Sequence, residues 1–179
     1  LKDMSSVEDG DKPTIYIGGT GSGARRTARA LMEKLEVDIL GGGFDIDDSK
    51  SYIDAAEKLI SGDIDLAFIL EAMPSEEVEM TLAHGCRLIR LVEPGDVIPC
   101  EGAVITEIPK FLYQGQTLPI ETIGDPAYLV ARSDLDAEVV IAVLDALFDN
   151  AKDLTTAHFI AADIRKSGLR KHDKLKQHP

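Results

Sequence analysis

Thr14-Ile15-Tyr16-Ile17-Gly18-Gly19-Thr20-Gly21-Ser22-Gly23-Ala24-Arg25-Arg26 is the stretch on which the reading of this chain turns. Its first four residues are β-branched or aromatic, a strand signature. Glycines follow at once. From about Ala24 to Leu35 the apolar residues Ala28, Leu31, Met32 and Leu35 recur at helical spacing. Strand, glycine-rich turn and helix in direct succession predict the opening of a βα unit. Such a turn lets backbone approach a ligand closely. The helix start beyond it offers free N–H groups and the positive end of the helix dipole. Gly21, Ser22 and Gly23 are therefore candidate donors to a carboxylate or phosphate, with the Thr20 and Ser22 hydroxyls and the Arg25 charge placed to assist. The same residues also suit a plain strand-to-helix turn capped by Ser22, and both readings stay open on sequence alone.

Nucleotide readings fit this turn poorly. A P-loop needs Lys and then Ser or Thr after its last glycine, whereas Ala24 and Arg25 follow Gly23. A dinucleotide fingerprint can be written as Gly19-x-Gly21-x-x-Ala24, but it needs an acid at the end of the second strand. Asp38 stands near the start of that expected strand, and Gly41-Gly42-Gly43 close it.

Outward from the turn the alternation continues. Residues 1–12 are polar and without period, an entering linker. Val37 to Leu40 reads as a second strand. Asp48 or Ser49 can cap a helix from about Lys50 to Ile60, with Ile53, Ala56, Leu59 and Ile60 inward and Gly62 as its stop. Leu66 to Leu70 is an apolar strand. Ser75 caps a further helix whose Glu76 and Glu77 suit the positive end of the dipole, with Gly85 as its stop. Leu88 to Val92 is a fourth strand. Residues 13–92 thus predict an α/β lobe, a parallel sheet with helices on both faces. Residues 93–117 are rich in proline and glycine and read as a crossover or hinge that exposes apolar surface. Residues 118–179 read as a C-terminal part, with short strands at Ile120–Ile123 and Ala127–Ala131 and helices at Asp136–Phe148 and Ala151–Lys166.

Composition narrows the function. The 179 residues are 44% hydrophobic, enough for an ordinary core, but only 5% aromatic, so the core is aliphatic. A formal net charge of -13 argues against nucleic acid as a partner. The basic run from Arg165 to Lys176 is the exception and reads as a solvated final helix with its frayed end, or as a contact for an acidic partner or lipid surface. His84, His158, His172 and His178 lack metal-ligand spacing, and no nucleophile-and-base set is evident. No metal, cofactor or enzymatic activity is expected. Cys86 and Cys100 either pair across the break after Val92 or stand as two thiols. The chain opens on Leu1, which predicts a piece of something longer.

The order of segments resembles the solute receptors of TRAP transporters, specifically the TAXI family. The resemblance is carried by Ser5-Ser6-Val7-Glu8-Asp9, Ile15-Tyr16-Ile17-Gly18 with Gly21-Ser22-Gly23-Ala24-Arg25-Arg26-Thr27-Ala28, and Gly62-Asp63-Ile64-Asp65-Leu66-Ala67-Phe68 with Met73-Pro74. It continues through Ile108-Pro109-Lys110-Phe111-Leu112-Tyr113-Gln114-Gly115-Gln116 to the closing His178-Pro179. It implies a three-layer βα sandwich, one lobe of a type II periplasmic-binding-like fold with C-terminal helices, and the family's first lobe has no match here. It further implies an extracytoplasmic protein, possible membrane anchoring in a longer chain, and a small carboxylate ligand such as an amino acid or dicarboxylate handed to membrane subunits of a transporter. Ala24 stands where the family has Thr, which removes a hydroxyl. Glu71-Ala72 replaces a small glycine-containing loop, which puts the Glu71 carboxylate near the expected cleft. The implied ligand set is Thr20, Gly21, Ser22, Gly23, Ala24, Arg25 and Glu71. A sensing or protein-interaction domain of the same fold within a larger membrane protein is the other reading.

Overall fold

A computed structural model describes residues 12–34, 36–37, 43–92, 102–158, 161–162 and 164. The chain forms two compact units, which divide between Pro126 and Ala127. That division lies beyond the boundaries at 92 and 117 read from the sequence.

The first unit is built on strand β1 (Thr14–Tyr16), helix α1 (Gly23–Lys34), strand β2 (Asp45–Ile46), helix α2 (Tyr52–Ser61), strand β3 (Leu66–Ala67) and helix α3 (Glu76–Ala83). The three strands form a parallel sheet in the order β2-β1-β3. Thr14 pairs with Asp45 and Ile15 with Ile46 on one side; Ile15 pairs with Leu66 and Tyr16 with Ala67 on the other. Successive strand side chains point to opposite faces, and β1 uses this fully. Ile15 and Ile17 pack with Ala28 and Met32 of α1. Tyr16, between them, packs with Ala55 of α2 and with Ile64. Ile15, Tyr16 and Ile17 are all buried. A strand covered on both faces is the expected state in a parallel sheet, and the α1–sheet–α2 layering agrees with the fold class expected from sequence.

Four local expectations are corrected. The strand that pairs with β1 is Asp45–Ile46, not Val37–Leu40. Val37 is taken by the end of α1. Its amide donates to Met32 O at 2.9 Å, and the Glu36 amide donates to Glu33 O at 3.2 Å, with Glu36 at φ 56. This pair of bonds around a left-handed residue is a Schellman stop, and Val37 packs on the cluster that holds Met32. Residues 38–40 lie outside the described ones. Next, Leu88–Val92 forms no strand, although Val92 is buried with Leu31, Ala103 and Ile123. Third, the stretch read as irregular contains strand β4 (Val104–Ile108), which pairs antiparallel with β5 (Ile120–Gly124) from Val104↔Gly124 to Ile108↔Ile120. Four of its five residues, Val104, Ile105, Thr106 and Ile108, are β-branched, which is the strand signal of this stretch. Within that same stretch Ile105 and Phe111 are exposed, Phe111 at 68%. Finally, α2 turns Ala55 and Ala56 inward and leaves Ile53 45% exposed, because the small alanines let the helix lie close on Tyr16. The cap of α2 is Ser51, whose hydroxyl accepts from the Asp54 amide, and not the expected Asp48 or Ser49, while Gly62 ends the helix at φ 86 as expected. Ser75 caps α3 as expected.

The second unit holds helix α4 (Ala137–Asp149) and helix α5 (Ala151–Ala157). Asp136 caps α4 by accepting from the Glu138 amide at 2.9 Å. Asn150 separates the helices, and its side-chain amide donates to Ala146 O. α5 ends at Ala157, short of the expected Lys166. The expected strand at Ala127–Ala131 is absent among the described residues; Leu129 and Val130 are exposed, and their backbone has no ladder to join. Cys86 has no disulfide partner among the described residues, and Cys100 lies outside them.

Two stability outcomes follow. Ile17→Ala removes a fully buried side chain between β1 and α1 and should lower the urea-unfolding free energy by about 2–5 kcal/mol, whereas Ile53→Ala should change it by less than about 1 kcal/mol. Glu36→Gly should raise stability by roughly 1 kcal/mol in the same measurement, since a left-handed conformation costs a side chain about that much.

Candidate functional site

The sheet order fixes where a ligand site can form. β1 sends its chain to β2 on one side, and β3 lies on the other. In open α/β sheets ligands bind beyond the C-terminal strand ends, where neighbouring connections leave in opposite directions. Here that crevice lies between the turn after β1 and the segment after β3.

The turn after β1 is tightly built. The Ser22 amide donates to Gly19 O at 3.0 Å, and Gly21 has φ 81. This is the left-handed third position that a type II turn requires. Gly18, with φ 95, is packed so closely that a Cβ there would stand 2.7 Å from Arg25 N, 2.8 Å from Ser22 Oγ and 2.9 Å from Ala24 Cβ. Ser22 caps α1, its hydroxyl accepting from the Arg25 amide at 3.1 Å. Thus the Ser22 amide, expected from sequence to face a ligand, closes the turn instead. The amides of Gly23 and Ala24 occupy the first two positions of α1, which have no intrahelical acceptor. These are the donors the turn can present.

Arg25 also behaves differently from the sequence expectation. Its Nε donates to Gly18 O at 2.8 Å, Nη1 to Thr20 Oγ1 at 3.0 Å and Nη2 to Asp48 Oδ1 at 3.3 Å. The guanidinium therefore staples the turn to itself and to the segment after β2. Its side chain is 13% exposed, while that of Asp48 is 84% exposed. The cation is held in place and partly neutralised.

The segment after β2 lies against the same turn: a Cβ on Gly19 would be 3.6 Å from Lys50 O. Asp47 is its anchor. Its carboxylate accepts from the Ser49 amide at 2.9 Å and from Lys58 Nζ at 2.6 Å. Burial alone would raise the Asp47 pKa, but the hydrogen bonds from Lys58 and Ser49 outweigh it and hold the carboxyl below its ordinary value. The stability this adds is present above the unfolded carboxyl pKa and is lost as pH falls through the folded one. Ser49 is buried at 4% exposure. Its Oγ has no partner of full hydrogen-bond geometry among the described residues, though the hydroxyl is near enough to Asp47 to help depress that pKa.

The segment after β3 carries Glu71, which is exposed. Two tyrosines hold it. Tyr52, the first residue of α2, donates its hydroxyl to Leu70 O at 2.9 Å, and the Ser75 amide donates to the hydroxyl of buried Tyr113 at 3.0 Å. Tyr16 meets Tyr52 edge to face, with ring centroids 6.2 Å apart. Burial raises the pKa of Tyr52 and of Tyr113, and the Glu71 charge adds to both.

The structure therefore gathers Thr20 to Arg25 at the turn and first helical residues after β1 and puts Glu71 on the segment that follows the adjacent strand, four residues beyond its end. The sequence reading assigned no role to Asp47, Tyr52 or Tyr113, and saw Asp48 and Ser49 only as candidate helix caps. The available signal was scarcity: the chain has 4 tyrosines and no tryptophan, and a buried tyrosine usually hydrogen-bonds through its hydroxyl. Gly18→Ala should cost at least about 2 kcal/mol in urea unfolding, from left-handed strain and overpacking together. Gly23→Ala, which meets open space at the first position of α1, should be neutral or stabilising by up to about 1 kcal/mol.

No curated protein matches the chain. No helix among the described residues is long and apolar enough to cross a membrane. The sequence pattern of the NMT1-like family matches residues 2–179, a periplasmic-binding-like family whose character points to small-molecule binding and an extracytoplasmic location. With that match spanning the chain, and with a parallel βα lobe whose glycine turn opens at a switch point, this protein belongs to the NMT1-like family of periplasmic-binding-like solute receptors.

Proposed function

We propose that the chain is a receptor and not an enzyme, serving a TRAP-type transport system of the TAXI kind. In this reading it takes a small carboxylate, such as an amino acid or dicarboxylate, and hands it to membrane subunits. The observation that supports the reading is that β1 and β3 are adjacent parallel strands, so the turn leading to the Gly23 and Ala24 amides at the start of α1 and the segment bearing Glu71 leave from neighbouring C-terminal strand ends. Amides at a helix start favour an anion. The Arg25 charge is shared with Asp48, so in this reading the carboxylate is held chiefly by the amides, with Arg25 keeping them in place. Glu71 opposes a second negative charge and favours a ligand that also carries an ammonium group.

Magnitudes require further contacts. A charge at a helix start gains about 0.3–1 kcal/mol when exposed and up to ~2 when partly buried. Micromolar binding needs roughly 8 kcal/mol. The remainder must come from enclosure of the ligand, which is how two-lobed receptors work. The alternative, a sensing or protein-interaction domain, draws support from α4, which has no buried residue and exposes Val139, Ile141 and Val143.

Calorimetric titration of the intact protein with amino acids and dicarboxylates tests the reading. A carboxylate should bind, and Gly21→Val should weaken it about tenfold or more, the equivalent of one charge-assisted hydrogen bond. Ser22→Ala, which removes the cap of α1, should weaken it in the same direction. If a carboxylate binds and neither substitution affects it, the ligand lies elsewhere.

A further inference from the structure

The segment from Leu70 to Ser75 is fixed at both ends by tyrosine hydroxyls that come from different parts of the first unit. Tyr52 reaches Leu70 O from the start of α2, and Tyr113 accepts the Ser75 amide from the turn between β4 and β5. That turn is itself closed around Gln116. The Gln116 amide donates to Tyr113 O at 3.2 Å, its side-chain amide donates to Ile108 O at 3.2 Å and Leu118 O at 3.0 Å, and the Phe111 amide donates to Gln116 O at 3.0 Å. Tyr113 is thereby thrown back from the hairpin into the unit's interior, where it is 3% exposed. Its hydroxyl accepts one bond and retains its own proton to donate. The Ser75 it holds is also the cap of α3, with Ser75 Oγ accepting the Val78 amide at 3.3 Å and donating to Glu77 Oε2 at 3.2 Å.

We propose that Tyr52 and Tyr113 are positioning residues for ligand recognition: they clamp the two ends of the segment that bears Glu71, so that its carboxylate is a fixed acceptor for the ammonium of an amino acid. This rests on the carboxylate-receptor reading above. An exposed glutamate on a free loop discriminates weakly, because ordering the loop opposes each contact it makes. A glutamate whose backbone is pinned at the residue before it and four residues after it has been ordered by folding. The two clamps use no side-chain atom of Glu71, which leaves the carboxylate available. Its charge reaches both hydroxyls, since it adds to the raised pKa of Tyr52 and of Tyr113; Glu77 is the other charged group acting on Tyr52, and Glu79 on Tyr113. The hairpin β4–β5 thus acquires a purpose beyond covering α1: through Gln116 and Tyr113 it sets one end of the recognition segment.

The test uses the full chain with Tyr52→Phe, Tyr113→Phe and Glu71→Gln. Amide exchange decides the clamp without any ligand. The Ser75 amide should exchange about tenfold faster or more in Tyr113→Phe, as loss of one buried hydrogen bond implies, while the Ile15 to Ile17 amides report that the fold is intact. Tyrosine titration followed by carbon NMR gives a second ligand-free check: Glu71→Gln should lower the pKa of both Tyr52 and Tyr113, and failure of both to move overturns the placement of Glu71. Selectivity is read with two probe pairs, L-aspartate against succinate and L-leucine against 4-methylpentanoate. The wild type should prefer the member that carries the ammonium. Each Tyr→Phe change should lose more affinity for that member than for its partner, by about threefold or more. Equal loss on both members of a pair marks a merely structural role and overturns the proposal. If the wild type binds no carboxylate in this or the wider panel, the receptor reading itself fails and takes the selectivity role with it. If it binds carboxylates with no preference for the ammonium, only the tyrosine–Glu71 proposal fails.

Discussion

Three consecutive side chains, Ile15, Tyr16 and Ile17, carry the first unit. Their alternation gives α1 one face of the sheet and α2 the other. Because they are all buried, shifting β1 by one residue would exchange aliphatic and aromatic bulk between two differently shaped helix faces. The register with β2 and β3 is thereby set from the centre. It matters that it is, because the flanking strands are only two residues long and contribute few ladder bonds of their own. The functional geometry inherits this: the turn at Gly18 begins where β1 ends, and every loop of the crevice is placed by its distance from that strand.

The crevice is built from bonds that the protein makes to itself. Gly18 O, Thr20 Oγ1 and Asp48 all converge on Arg25, and Asp47 holds Lys58 and the Ser49 amide. A cation at the third position of a helix is unfavourable for the dipole. Its three acceptors explain why the sequence carries it there: the positive charge stiffens the turn and links the β1 and β2 connections. What remains open are the Gly23 and Ala24 amides and, on the segment after β3, the exposed Glu71 carboxylate, the groups on which the proposed zwitterion reading rests.

The βα character of the chain was legible because strand, glycine turn and helix follow one another without gaps, and because Ser75 and Gly62 are unambiguous punctuation. The misplaced second strand has a specific cause. Val37 is apolar and β-branched, as a strand residue should be, yet it closes a helix whose left-handed position is filled by Glu36 rather than glycine. The absence of glycine concealed the stop. Strand β4 is masked in the sequence because the prolines and glycines on either side of it outweigh a run of five residues of which four are β-branched. At the site, the turn from Thr20 to Arg25 was visible in the sequence, but the partner of each donor was not. Arg25 finds Asp48 across 23 residues and Tyr113 finds Ser75 across 38, and no local pattern records such pairings.

The brevity of β2 and β3 bears on how the protein behaves at high concentration. A sheet edge recruits other chains when it offers a long row of unpaired amides and carbonyls. Among the described residues, each outer strand of the parallel sheet offers two residues before the backbone turns away into a helix connection. An incoming strand would find too little ladder to dock on. Self-association through the edges of the parallel sheet is thus disfavoured by construction, and any edge pairing falls to the five-residue strands of the β4–β5 hairpin.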